Sequence, residues 1–201
     1  MTKRRIGVFG GSFSPPHLGH LHAAKQFVTM LRLDKLYIIP AYHSPGKVMD
    51  GTPAHHRLAM CRLAFAEFPM AEVLDIEISR GGVSYTVDTL THLANEESEL
   101  FVLCGTDAAL ALDRWKSPEA LFSLATFVCM PREAETDVLR LKEKNETYQA
   151  VYGKGVEVIP AVPRPLSSTE IRSMISQGDL TYQNHLCPAV AAYITQNGLY
   201  Q

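Results

Sequence analysis

Ile6-Gly7-Val8-Phe9-Gly10-Gly11-Ser12-Phe13-Ser14-Pro15-Pro16-His17-Leu18-Gly19-His20 decides how the rest of the chain is read. Its first four residues form an apolar run of strand type. Just beyond it, Leu21, Ala24, Val28 and Leu31 fall on one face of a helix. Two glycines and two histidines, spaced i and i+3, therefore sit where a strand turns into a helix. In an open α/β sheet that turn is where ligands bind. A helix start offers free N–H groups and partial positive charge, which suit phosphate. Two imidazoles one turn apart add donors in the same place. The loop lacks the Gly-Lys-Ser/Thr ending of a P-loop and the G-x-G-x-x-G spacing of a dinucleotide fold. On residue type alone, a Gly- and Pro-rich turn with a capping His stays open.

Outward from this stretch, strand and helix patterns alternate. Leu36–Ile39, Val73–Ile78, Leu100–Cys104, Thr126–Met130 and Val156–Ile159 read as strands. Leu100–Cys104 is apolar throughout, as in a strand buried on both faces. Thr52-Pro53 starts a helix, with Thr as N-cap and Pro at the first helical position. Ser84 caps a second helix, and a charged helix runs from Val138 to Tyr148. Two more lie near Thr169–Gln177 and Pro188–Gln196, the latter ending before Gly198. The alternation predicts an α/β fold: a Rossmann-like, doubly wound, mainly parallel sheet with helices on both faces. A helical segment from about residue 166 to 201 completes a single expected domain, 1–201. Ala41–Gly51 is the expected mobile loop beside the turn.

Composition narrows the class. Apolar residues make up 46% of the 201, enough for a sizeable core. A net charge of −2 and the lack of a basic, aromatic-rich face argue against nucleic-acid binding. The four cysteines, Cys61, Cys104, Cys129 and Cys187, have neither zinc-site nor disulfide-framework spacing. Cys104 and Cys129 read as buried thiols. No apolar run reaches membrane-spanning length and no signal-type block follows the basic start, so the expected location is the cytoplasm, without a membrane partner.

Other clusters fall on strand–helix boundaries. Ser167-Ser168-Thr169-Glu170 has the form of a capping box, which leaves Arg172 on the first turn unexplained. Gly105-Thr106-Asp107 ends a buried strand, where Asp107 is either an N-cap or a ligand group. Trp115, the single tryptophan, is either core or a stacking surface. Ser84-Tyr85-Thr86 is at least a capped helix start, and Arg57 is either a solvated cation or a phosphate contact.

Residues 6–22 resemble the first motif of the bacterial nicotinate mononucleotide adenylyltransferases, members of the H-x-G-H nucleotidyltransferase superfamily. Ser167–Arg172 is similar to that superfamily's I-S-S-T-x-I-R motif, and Gly105-Thr106-Asp107 with Trp115 resembles its G-x-D and Trp positions. The sequence departs from the pattern at Ser14, where the family has Asp or Asn. It departs again at Gly46, where the P-P-H-K loop carries His before the position of Lys47. The resemblance implies transfer of AMP from ATP to nicotinate mononucleotide. It implies that His20 and His17 donate to the ATP phosphates, that Arg172 with Ser168 and Thr169 holds the leaving pyrophosphate, and that Lys47 neutralises phosphate. Gly10, Gly11, Ser12, Phe13, Gly19, Gly105 and Asp107 would line the ATP side. Ser84, Tyr85, Thr86, Trp115 and Arg57 would line the mononucleotide side. Mg²⁺ would accompany ATP with few or no protein ligands. Nicotinamide mononucleotide, another phosphate acceptor, or a nucleotide sensor without turnover remain as other readings, and a homo-oligomer stays open.

Overall fold

The computed structural model describes residues 3–46, 48, 50–131, 134–160 (134 and 135 as backbone) and 166–201. Among them, β1 (Arg4–Gly11), β2 (Lys35–Pro40), β3 (Ala71–Val73), β4 (Ser98–Cys104), β5 (Ala125–Cys129) and β6 (Glu157–Val158) form one sheet. All pairings are parallel, in the order β3-β2-β1-β4-β5-β6. That is the order expected of a doubly wound sheet. Helices α1 (Leu18–Leu31), α2 (Ala54–Phe65), α3 (Ile76–Arg80) and α4 (Thr86–Leu93) precede β4 in the chain. After it come α5 (Thr106–Ala109), α6 (Pro118–Leu124), α7 (Ala134–Tyr152), α8 (Ser168–Ser176) and α9 (Pro188–Gln196). Among the described residues no helix is long and apolar enough to cross a membrane.

Strand β4 shows how the two faces are built. Phe101 and Leu103 join a core with Phe27 of α1, Met60 of α2, Ile171 of α8 and Val190 of α9. Leu100, Val102 and Cys104 join the opposite core with Leu90 of α4, Phe122 of α6 and Tyr148 of α7. Side chains alternate across a strand, so one apolar run serves both layers. Burial pushes the Cys129 thiol up to about 11 and the Cys104 thiol well above its ordinary value, so both are inert.

At Gly7 the sheet touches α1 most closely. A Cβ there would lie 2.6 Å from Leu33 Cδ1, and 2.9 Å from both Leu36 Cδ1 and Phe27 Cε1. Glycine therefore lets α1 settle flush on β1, which sets the height of the helix start above the strand end.

Some boundaries differ from the sequence reading. Val73–Ile78 is not one strand. β3 stops at Val73, and α3 follows from an Asp75 N-cap to Gly81 at φ 69°. Its Glu77 is buried and accepts a hydrogen bond from Thr89 Oγ1 at 2.6 Å, a contact that an extended strand would not make. The N-cap of α2 is Pro53 rather than Thr52, and that of α4 is Tyr85 rather than Ser84. The helix read as 138–148 extends over Ala134–Tyr152. Helices α5 and α6 are too short for a periodic signal.

Replacing Gly7 by Val overpacks the contact with Phe27 and Leu33. It is expected to lower unfolding free energy by about 2–3 kcal/mol in urea denaturation.

Candidate active site

β1 and β4 are neighbours in the sheet, and the order of connections reverses between them. The crevice beyond their carboxyl ends is the place where such sheets bind ligands. Gly10 and Gly11 end β1, and Gly105 follows the end of β4. A Cβ at Gly105 would meet nothing within 4 Å, and one at Gly10 only the Ile39 carbonyl oxygen at 3.9 Å. Unlike Gly7, these two glycines are not demanded by the packing of the protein. They keep the floor of the crevice bare.

The loop from β1 into α1 is anchored by its aromatic residue. Phe13 is 2% exposed and has φ 49°, a conformation that a bulky residue adopts only under constraint. It packs edge-on against Phe9 with centroids 5.3 Å apart, and against His20 at 5.0 Å. His17 is the N-cap of α1 and is buried, with its ring 3.8 Å from that of His20. The His17 backbone N–H donates to His20 Nδ1 at 3.2 Å. Accepting at Nδ1 places the proton of a neutral His20 ring on Nε2, which makes Nε2–H a donor. Gly19 is the second residue of the helix, between the two imidazoles.

The second motif docks onto the first. Ser167 is the N-cap of α8. Its Oγ accepts from Glu170 N–H at 3.1 Å, and its own N–H donates to Glu170 Oε2 at 2.8 Å. The capping box read from the sequence is present. Ser168 Oγ donates to the Pro15 carbonyl at 2.9 Å, and Arg172 Nη1 donates to the Ser14 carbonyl at 2.7 Å. Arg172 Nη2 also reaches Thr169 Oγ1 at 3.3 Å. Two segments some 150 residues apart are thus joined by hydrogen bonds, |i−j| 153 and 158. Two helix N-termini and one guanidinium share this rim.

Arg57 differs from expectation. It is neither a solvated cation nor a reaching one, because it is 1% exposed. Its Nη1 donates to the Ser12 and Ala41 carbonyls at 2.9 and 2.5 Å, and its Nη2 to the Tyr42 carbonyl at 3.0 Å. Its guanidinium is spent on backbone, so it shapes the loops after β1 and β2 from below. Burial lowers its pKa from the ordinary value and the nearby Asp50 charge offsets part of that. Ser12 Oγ lies 3.1 Å from Ser44 Oγ and ties the same two loops from above.

The loop after β2 also meets the segment before α4. His43 and Val83 form a parallel bridge, Ser84 N–H donates to the His43 carbonyl at 2.9 Å, and Tyr42 N–H donates to Ser84 Oγ at 2.9 Å. Ser84 is therefore a loop tie, with Tyr85 half-buried and Thr86 opening α4. Lys116 Nζ sits 4.5 Å from the Tyr85 ring centroid and pairs with Asp88 at 3.0 Å. Trp115, next to it, is half-buried, with its edge toward Phe127 at 6.3 Å. Asp107 is exposed on the first turn of α5. Lys47 lies outside the described residues. The sequence reading did not single out Asp50 and Tyr200, which contact Arg172 and Ser14 respectively. An Asp in a Gly-containing loop carries no signal beyond a turn.

Residues 8–174 match the model of the cytidylyltransferase-like family. The chain belongs to that family, a class of nucleotidyltransferases. It is 40% identical over 199 residues to a Gemmatimonas aurantiaca protein named "Probable nicotinate-nucleotide adenylyltransferase", covering 98% of this chain and 92% of that one. It is 38% identical to a protein of the same name from a Roseiflexus species, with 100% of both chains covered. The motif likeness is thus matched by relatives along the whole length. Among solved structures, Plasmodium falciparum nicotinic acid mononucleotide adenylyltransferase complexed with NaAD superimposes with a TM-score of 0.79 at 20% identity, over 98% of this chain and 97% of that one. At that identity the likeness is one of fold.

Arg57→Met leaves the carbonyls of Ser12, Ala41 and Tyr42 without this donor. It is expected to cost about 3 kcal/mol in chemical denaturation, with faster protease cleavage between residues 41 and 51.

Proposed function

We propose that this protein transfers AMP from ATP to nicotinate mononucleotide, giving deamido-NAD and pyrophosphate. The observation that carries the reading is the junction of the two motifs: Ser168 and Arg172 bonded to Pro15 and Ser14, beside His17 and His20, at the strand-order reversal. Full-length relatives named for this reaction support the choice of substrates.

In the reaction, a 5′-phosphate oxygen of the mononucleotide attacks the α-phosphorus of ATP in line. The new O–P bond forms as the bond from the α-phosphorus to the bridging oxygen breaks, and pyrophosphate carries away that electron pair. The attacking phosphate is ionised at neutral pH, so no general base is required. Catalysis rests on positioning and charge stabilisation. His20 donates from Nε2 to charge developing on the α-phosphate, in an orientation kept by the His17 N–H at its Nδ1. His17 presents α1, whose first N–H groups face anions by default. Arg172, Ser168 and Thr169 hold the leaving pyrophosphate, and Lys47 neutralises the acceptor phosphate or the triphosphate. Gly10, Gly11, Ser12, Phe13, Gly19, Gly105, Asp107 and Ser168 form the ATP side of the crevice. Ser84, Tyr85 and Thr86 shape the pyridine pocket, and Trp115 stacks on the ring. Arg57 serves the mononucleotide through the loops it holds.

A divalent ion brought with ATP supplies charge neutralisation on the phosphates. Among the described residues no group of three or more His, Cys, Asp or Glu could hold a metal. Such an ion would be held with few or no protein ligands, Asp107 being the best candidate for an indirect contact. The reading goes with a cytoplasmic enzyme, where ATP is available.

Pyrophosphate release with ATP and Mg²⁺ tests the reading, with nicotinate mononucleotide, nicotinamide mononucleotide and phosphopantetheine as separate acceptors. Fast release with the first alone is expected. Preference for another acceptor reassigns the substrate, and ATP binding with no release from any of the three points to a sensor. His20→Ala is expected to lower kcat by about 100-fold or more, the scale of one lost transition-state donor. Turnover near wild type would remove His20 from its role. Trp115→Ala is expected to raise KM for the mononucleotide more than for ATP, whereas equal rises would make Trp115 core.

A further inference from the structure

Around Arg172 lies a network that the motifs do not contain. Asp50, from the loop after β2, brings its Oδ2 to 3.5 Å from Arg172 Nη1. The two side chains are only 17% and 27% exposed. Thr52 N–H donates to Asp50 Oδ1 at 2.9 Å. Ser14 Oγ lies 2.9 Å from Tyr200 Oη. Either hydroxyl can be the donor in that pair. Arg172 meanwhile donates to the carbonyl of that same Ser14. Four separate parts of the chain meet here: the loop after β1, the loop after β2, the first turn of α8, and the C-terminal tyrosine.

We propose that Asp50 is a positioning residue, whose carboxylate, itself held by the Thr52 N–H, fixes the Arg172 guanidinium on the rim where phosphate binds. The inference rests on the reaction proposed above and assigns it one further residue. Two features separate this pair from an ordinary surface ion pair, which is loosely held and screened. The carboxylate is held by the Thr52 N–H as well as by the arginine. The guanidinium is bonded to main chain on one side and faces the carboxylate on the same nitrogen. Burial works to raise the Asp50 pKa, yet the hydrogen bonds from Thr52 and Ser14 and the Arg172 charge outweigh it, so the group is charged at neutral pH.

A charge near a phosphate site can act in the opposite sense, by repelling the ligand. The two roles predict opposite signs. If Asp50 only repels phosphate, its neutralisation tightens ATP. If it holds Arg172, neutralisation weakens ATP.

The test compares wild type, Asp50→Asn, and the double variant Ser14→Asp/Asp50→Asn. ATP Kd is read by calorimetry without acceptor, and KM for each substrate is read in the pyrophosphate assay. Asp50→Asn keeps an acceptor for Thr52, and the melting temperature checks that loss of its charge near buried Arg57 leaves the fold intact. Its ATP Kd and KM are expected to rise about three- to fivefold, the upper range for a partly exposed pair. KM for the mononucleotide should change less and the melting temperature should hold. The double variant, which returns the carboxylate from position 14, is expected to recover most of the ATP affinity. Unchanged or tighter ATP binding by Asp50→Asn overturns the proposal, as does a uniform rise in both KM values with a fall in melting temperature. A wild type that binds ATP but releases no pyrophosphate counts against the proposed reaction instead, and the calorimetry still decides for or against Asp50.

Discussion

Parallel strands joined by right-handed crossovers all point their carboxyl ends to one edge of the sheet. Where successive connections lead away from each other, that edge cannot be covered by its own crossovers. Here the gap falls between β1 and β4, whose ladder is continuous from Arg4 opposite Ser98 to Val8 opposite Val102. Everything that distinguishes this molecule is arranged around that opening. Gly7 seats α1 low on the strand. The bare backbone at Gly10 and Gly105 keeps the floor clear, and the loops after β1 and β2 are tied to each other beside it.

Loops of this kind carry many carbonyls that neither sheet nor helix satisfies. Arg57 resolves several of them with one side chain. A buried guanidinium is costly when unpaired, and its cost is met here by carbonyl oxygens of two loops. The loops are thereby rigid at their base, while the hydroxyls of Ser12 and Ser44 bind them higher up. Positioning of phosphate is then a property of the scaffold, which is what catalysis by preorganised charge requires.

Much of this was legible in the residues. The β1 turn and its histidines, the buried β4 run and the capping box of α8 depend on local spacing, and local spacing is visible in one dimension. Val73–Ile78 misled because apolar residues at 73, 74, 76 and 78 suit a strand as well as a strand end and a short helix. Arg57 was legible as a cation on a helix, but not as a buried one. Periodicity records where a Cβ points, not where a long side chain ends. Asp50 and Tyr200 left no trace, because their partners lie far along the chain and nothing in their own neighbourhoods anticipates the contact.

The bond between Ser14 and Tyr200 spans 186 positions, and those of α8 to the first loop span more than 150. The entropy of closing such long loops grows only slowly with length, so these contacts are thermodynamically cheap. Kinetically they are late, since non-local pairings form after local ones. The strand and helix at the beginning of the chain can emerge and fold first, but the rim around Arg172 has no partner until the far segments arrive. Half-made or unzipped chains therefore hold the glycine turn and its histidines without the rim that Ser168 and Arg172 close over Pro15 and Ser14. The crevice is complete only with the finished fold.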